Sequence, residues 1–281
     1  MKVKSNELLF GKGATSYDAF NFLQSMINLA TRNFPQHYNF YTLDDIDGVE
    51  AGFIYKIVIS LNTFYSICKC ARDYSSATTL CRSIVDKIAI LKCVFAKSDQ
   101  TERSYRYYLY VLDGMRDRLK LLDEELKYDG RISKAEFDNL ANQVDAAKEN
   151  TFKTVRYCEN TLNSHQYASV DPAFHKKVIK GACWRYKEFG KTQKNGNPDV
   201  CSWKELYYDI DNRPAIVSMF SSYLSQFVHS LSISILPVGS TFDDFENLMS
   251  LGVCLQGIII KELKERFNAT DEILRIFNQD N

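Results

Sequence analysis

Pro214-Ala-Ile-Val-Ser218-Met-Phe-Ser-Ser222-Tyr-Leu-Ser225-Gln-Phe-Val-His229-Ser-Leu-Ser232-Ile-Ser-Ile-Leu-Pro237 is the stretch on which the fold turns. Pro214 suits a first helical turn, where its missing N–H is not needed, and Pro237 cannot continue a helix. A helix of about 23 residues, roughly 34 Å at 1.5 Å per residue, is expected between them. Ser218, Ser222, Ser225, His229 and Ser232 recur at spacings of three and four and make one narrow polar stripe on it. Between Ile216 and Ile235 the other positions are mostly apolar, which predicts a central helix covered nearly all round. The stripe then faces protein or a pocket, and the His229 imidazole needs partners there. No Asp, Glu, Lys or Arg occurs from Pro214 to Phe242, yet the serines, Gln226 and His229 make the segment too polar to span a membrane, so a buried helix is expected.

Working outward, the same three-and-four spacing fills the chain, which has only 12 Gly and 5 Pro. It predicts helices over about 15–33, 47–72, 75–96, 100–127, 133–163, 172–189, 203–210, 214–236, 241–267 and 270–278, with no strand series. Asp47 with Glu50, Ser133 with Glu136 and Ser202 with Glu205 have the spacing of capping boxes. Breaks fall at Tyr128-Asp-Gly130 and at the polar loop from Gly190 to Pro198. The expected fold class is all-α: a single-domain multi-helix bundle over 1–281, with a helical hairpin protruding at about 100–160.

Composition bounds the function. Lys+Arg and Asp+Glu number 35 each and 45% of residues are hydrophobic, which excludes a disordered chain and a binder that holds nucleic acid by overall charge. The eight cysteines sit mostly in apolar, helix-like segments without CxxC spacing, and the N-terminus has no apolar run suited to a signal peptide. Reduced thiols, a cytoplasmic setting and no membrane association are expected. His175, Cys183 and Cys201 lack ligand spacing, so neither a metal nor a cofactor is expected.

A partner for the polar stripe lies in Arg82-Ser-Ile-Val-Asp86, where a cation and an anion one turn apart share a face. We expect Arg82 and Asp86 to meet Ser225 and His229 across a helix interface. His229, Arg82 and Asp86 are then the candidate catalytic set, with Ser225 and Tyr223 as binding residues beside them. The blander reading is a structural network, since serines let helices approach closely and a core histidine commonly just donates to a carboxylate. Arg82-Ser-Ile-Val-Asp86, followed by Trp203 and by Tyr223-Leu-Ser225-Gln-Phe-Val-His229, resembles the pattern of a bacterial all-helical family of unknown function over roughly residues 50 to 235. That family carries an Arg-x-x-x-Glu helix, a Trp-containing segment and a Tyr/Ser-x-x-Val-His helix; here Asp86 stands in place of the Glu. The resemblance implies a helical fold in a bacterial cytoplasm and no particular activity.

Three other motifs are weighed. Arg32-Asn33-Phe-Pro-Gln-His37 has the Arg-to-His spacing of HEPN-type ribonucleases, but Pro35 would break the helix that must present both side chains. His175 to Lys194 carries Lys176, Lys177 and Arg185 with Trp184, Tyr186 and Phe189 interleaved, a pattern that can neutralise phosphates and stack bases or simply form a solvated helix face. Asp129-Gly130-Arg-Ile132 imitates half of a calcium loop, yet Lys127 occupies an oxygen-ligand position and a plain turn is expected. The expected function is a helical binding or regulatory module, in a defence or stress system, with RNA or a protein as partner and self-association open. The alternative is a metal-independent HEPN-like ribonuclease with His229 as base.

Overall fold

The computed structural model of the protein describes residues 13–34, 42–124, 126–228 and 241–267. Within them the regular structure is helical, with one isolated antiparallel bridge between Tyr186 and Val200. The chain is all-α, and it divides into two compact units: Met1–Lys92 with Trp203–Asn281, and Cys93–Ser202. Residues 100–160 lie wholly in the second.

In the first unit, α1 (Ser16–Ala30) begins at Thr15, whose hydroxyl accepts the Asp18 N–H while the Asp18 carboxylate accepts the Thr15 N–H at 2.9 Å. α2 (Ile46–Ser66) is capped by Asp45, which accepts from Gly48 at 2.9 Å, and it runs on through a π turn, Ile67–Ala71. The expected Asp47/Glu50 box therefore does not form. Glu50 lies a turn further in, 1% exposed, and receives Arg266 at 2.7 Å from the end of α9 (Phe242–Phe267). The helix α3 (Tyr74–Ile90) also ends in a π turn, Leu91–Phe95. A short α7 (Trp203–Tyr208) leads into α8, built from Pro214–Ser218, a π turn Met219–Tyr223 and Leu224–Val228. α1 packs along α9, α2 and α8 pack on α3, and α7 touches α3 and α8. By length and composition alone, Ile46–Ala71 is apolar enough to cross a membrane; it carries Glu50 and buries Ile54, Ile57, Val58, Leu61 and Phe64 in this unit.

Two expectations about α8 are corrected. Val217, Phe220, Leu224 and Phe227 are buried, but Ser218, Ser222 and Val228 are exposed, so the helix is amphipathic and not covered all round. The π turn adds a residue to one turn and rotates the remainder of the helix, which breaks the straight serine stripe. His229 and the expected continuation to 236 lie outside the described residues, as do His37, Pro35 and the helix expected at 270–278.

In the second unit, α4 (Gln100–Leu122) and α5 (Lys134–Leu162) pack antiparallel: Asp123, just past α4, meets Lys148, and Arg116 meets Glu159 at 2.7 Å. The Ser133/Glu136 capping box starts α5. Asp129, before it, accepts from the Arg131 N–H at 3.0 Å in a turn. α6 (Pro172–Lys180) stops nine residues before its expected end at 189, because Gly181 caps it and Ala182 takes a left-handed φ of 45°. From there burial alternates: Ala182, Trp184 and Tyr186 point inward and their neighbours do not, a period of two that suits extended chain. The Cys201 N–H donates to Arg185 O at 2.7 Å and the Lys187 N–H to Asp199 O at 2.8 Å, so the Gly190–Pro198 loop closes a short hairpin and does not join two helices.

α9 crosses α1 and α2 at Gly252, where an added Cβ would lie 2.8 Å from ring atoms of both Phe20 and Phe64. Ala would gain about 1 kcal/mol of helix propensity but collide with two packed rings, at about 1–3 kcal/mol. Gly252→Ala is expected to destabilise the first unit by about 1 kcal/mol, read as a lower urea midpoint at unchanged slope.

Candidate functional site

α3 presents Arg82 and Asp86 one turn apart, beside the buried Ile84, Val85 and Ile88. The Arg82 Nε donates to both Asp86 oxygens at 3.1 Å. Nη1 donates to Ser225 Oγ at 2.8 Å and to the backbone carbonyl of Phe220, and Nη2 donates to the Tyr207 phenol oxygen. That phenol in turn donates to Asp86 Oδ1 at 2.7 Å, and the guanidinium stands 4.8 Å from the Tyr207 ring centre. Ser225 passes its own proton to Ser221 O at 3.0 Å. One guanidinium thus ties α3, α7 and α8 together. Burial and the Asp86 carboxylate both push the Tyr207 phenol above its ordinary range, against the opposing pull of Arg82, so it is a firm donor at neutral pH.

The backbone explains why Arg82 reaches Phe220. Within the π turn the Leu224 N–H donates to Met219 O, five residues back, so Phe220 O loses the donor that an α-helix would give it. Arg82 supplies the replacement. Of the four residues expected to meet, Arg82, Asp86 and Ser225 stand together, and His229 lies outside the described residues. Sequence reasoning overlooks Tyr207 and the Phe220 carbonyl; the nearest signal is the Trp203 segment, four residues before Tyr207. Tyr223 is elsewhere, with its hydroxyl 3.0 Å from that of Tyr74 and its ring against Phe227.

The basic segment differs from its expected form. Lys176 and Lys177 are exposed on α6, but Trp184 is 5% exposed, its Nε1 donating to Asp113 at 3.0 Å and its ring edge-on to Tyr110. Trp184 is therefore structural and offers no stacking face. Arg185 donates to Cys201 O at 2.9 Å and closes the hairpin. His175 sits between the Tyr105 hydroxyl at 2.8 Å and Asn163 Oδ1 at 3.2 Å. Arg32 lies in the turn after α1 and not on a helix. Among the described residues no three His, Cys, Asp or Glu side chains stand close enough to hold a metal ion, and all eight cysteines are free thiols, four buried and Cys70 and Cys254 exposed. Comparison of the chain with protein-family models, curated proteins and solved structures finds no match.

Chemically, four donors of Arg82 and the Tyr207 proton are committed to acceptors within the cluster, while the Asp86 side chain remains 33% exposed. Arg82→Met leaves the Asp86 carboxylate and the Phe220 carbonyl short of donors, and is expected to destabilise the first unit by about 2–3 kcal/mol. Tyr207→Phe removes one link and is expected to cost about 1 kcal/mol; a double-mutant cycle on denaturant midpoints reads the coupling between them. For His175, burial lowers the proton affinity below its ordinary value of 6.5, so the unfolded chain takes up a proton that the folded chain resists. The stability this contributes is present above about pH 6.5 and lost as pH falls below it. The melting temperature is expected to drop between pH 7 and 5, and to drop less in His175→Gln.

Proposed function

We propose that the protein is a helical binding or regulatory module of a bacterial cytoplasm, acting in a defence or stress response. The observation that carries this reading is that the Arg82 network commits its donors to acceptors on three helices. A general acid–base site keeps a group unsatisfied toward the space where substrate sits. Here the carboxylate already accepts from a guanidinium and a phenol, and the serine hydroxyl both accepts and donates. Such a cluster fixes the relative positions of three helices, which suits a scaffold that presents a surface or a pocket.

The partner class follows from the same residues. With Trp184 buried against Asp113, the 175–194 segment offers exposed lysines without the aromatic platform that single-stranded RNA uses. We therefore favour a protein or small-molecule partner over RNA. The chain incubated with RNA in a chelator is expected to leave it intact, with a weak, salt-sensitive affinity that changes little in Lys176→Gln/Lys177→Gln. Metal-independent cleavage that disappears in a folded His229→Ala chain would overturn the proposal in favour of the HEPN-like ribonuclease.

A further inference from the structure

The described residues of the first unit line an open pocket of about 540 Å³ between the first turn of α1, the end of α2 and the first turn of α9. That volume is in the range of small-molecule sites. Its walls are Tyr17, Tyr65, Cys68, Phe242 and Phe245, and its charged groups are Lys69, Arg72 and Asp18.

Several observations converge on the two cations. The π turn Ile67–Ala71 ends α2, and Arg72 comes next in the left-handed region at φ 52°, its N–H donating to Ile67 O at 2.8 Å. Glycine is the usual residue there, and a side chain at that angle crowds the following carbonyl. Strain of this kind persists where the surrounding structure fixes it, and it clusters at ligand sites. Lys69 is exposed, donates to the Tyr65 phenol at 3.1 Å and sits 5.2 Å from that ring's centre. Asp18, the lining carboxylate, is held in the Thr15 cap by an N–H at 2.9 Å and an O–H at 2.7 Å. Two cations thus face the space against one carboxylate already hydrogen-bonded elsewhere. The aromatic groups are equally placed for a ligand: Tyr65 stacks on Phe20 at 5.5 Å, Tyr17 lies edge-on to Tyr65 at 6.2 Å, and Phe242 stacks on Tyr17 at 6.5 Å while remaining 61% exposed.

We infer that this cavity binds a phosphomonoester carried on a flat ring, of the size of a nucleoside monophosphate, with the phosphate on Lys69 and Arg72 and the ring against Tyr17, Tyr65 and Phe242. An arginine fork beside a lysine point charge matches a phosphate dianion. Burial raises the Tyr17 phenol to about 12, so its hydroxyl stays protonated at neutral pH. The inference deepens the binding-module reading and rests on it: RNA cleavage would remove that reading, whereas a failure to bind nucleotide with RNA left intact removes only this one.

The test is calorimetric titration of the whole chain at physiological ionic strength with adenosine and uridine 5′-monophosphates, adenosine, and inorganic phosphate. One or both monophosphates are expected to saturate a single site, with adenosine and phosphate weaker by about tenfold or more. Arg72→Gln and Lys69→Gln should each weaken binding by about tenfold, and Lys176→Gln/Lys177→Gln should leave it unchanged. If Arg72→Gln does not fold, Arg72→Gly, which relieves the left-handed backbone, should fold and show the same loss. No saturation by either nucleotide overturns the inference. So does undiminished binding by Arg72→Gly, adenosine binding as tightly as its monophosphate, inorganic phosphate alone binding as tightly, or an equal loss in the Lys176/Lys177 variant.

Discussion

The Arg82 guanidinium is the interaction on which the first unit depends. It reaches a carboxylate on its own helix, a phenol on α7, and a hydroxyl and a bare carbonyl on α8. Each acceptor alone is an ordinary partner. Together they leave the cation with a single favourable position, and each of the three helices must sit where its acceptor meets it. The cluster fixes geometry more than it adds stability, because desolvating a cation and a carboxylate offsets much of what their attraction gains.

The π turns matter for the same reason. In α8 the turn frees the Phe220 carbonyl that Arg82 takes up, and at the end of α2 another brings Lys69 and Arg72 to the wall of the cavity. A residue added to one helical turn re-aims every side chain after it. Polar groups that an unbroken α-helix would place elsewhere are turned toward partners, and the cost is a carbonyl that needs a new donor or a backbone angle that resists its side chain.

How much of this the residues disclose depends on whether spacing or tertiary context decides. Helix positions follow from periodic burial, and Arg82, Asp86 and Ser225 stand out because charged and polar groups recur on otherwise apolar faces. Tyr207 does not stand out, since a tyrosine in a short helix carries no sign of what it will touch. The π turn in α8 leaves no mark in the sequence, so the straight serine stripe read there is an artefact of assuming 3.6 residues per turn throughout. The segment after Lys180 misleads in another way: its lysines fall at helical spacing, while Ala182, Trp184 and Tyr186 carry the alternation that burial follows. Asp45 prevails over Asp47 as a cap because Glu50 is held inward by Arg266. The cavity is not visible at all until α1, α2 and α9 are brought together.

The first unit is made of two separate stretches of chain, with about 110 residues of the second unit between them. α1 and α2 are covered by α9, whose Gly252 sits against Phe20 and Phe64 and whose Arg266 meets Glu50. On the ribosome those partners emerge only after the whole of the second unit. The second unit has all of its sequence available earlier and is free to fold first, while α1–α3 wait with apolar faces uncovered for α9 to arrive. Vectorial synthesis therefore makes completion of the first unit a late, long-range event, during which its apolar faces are exposed.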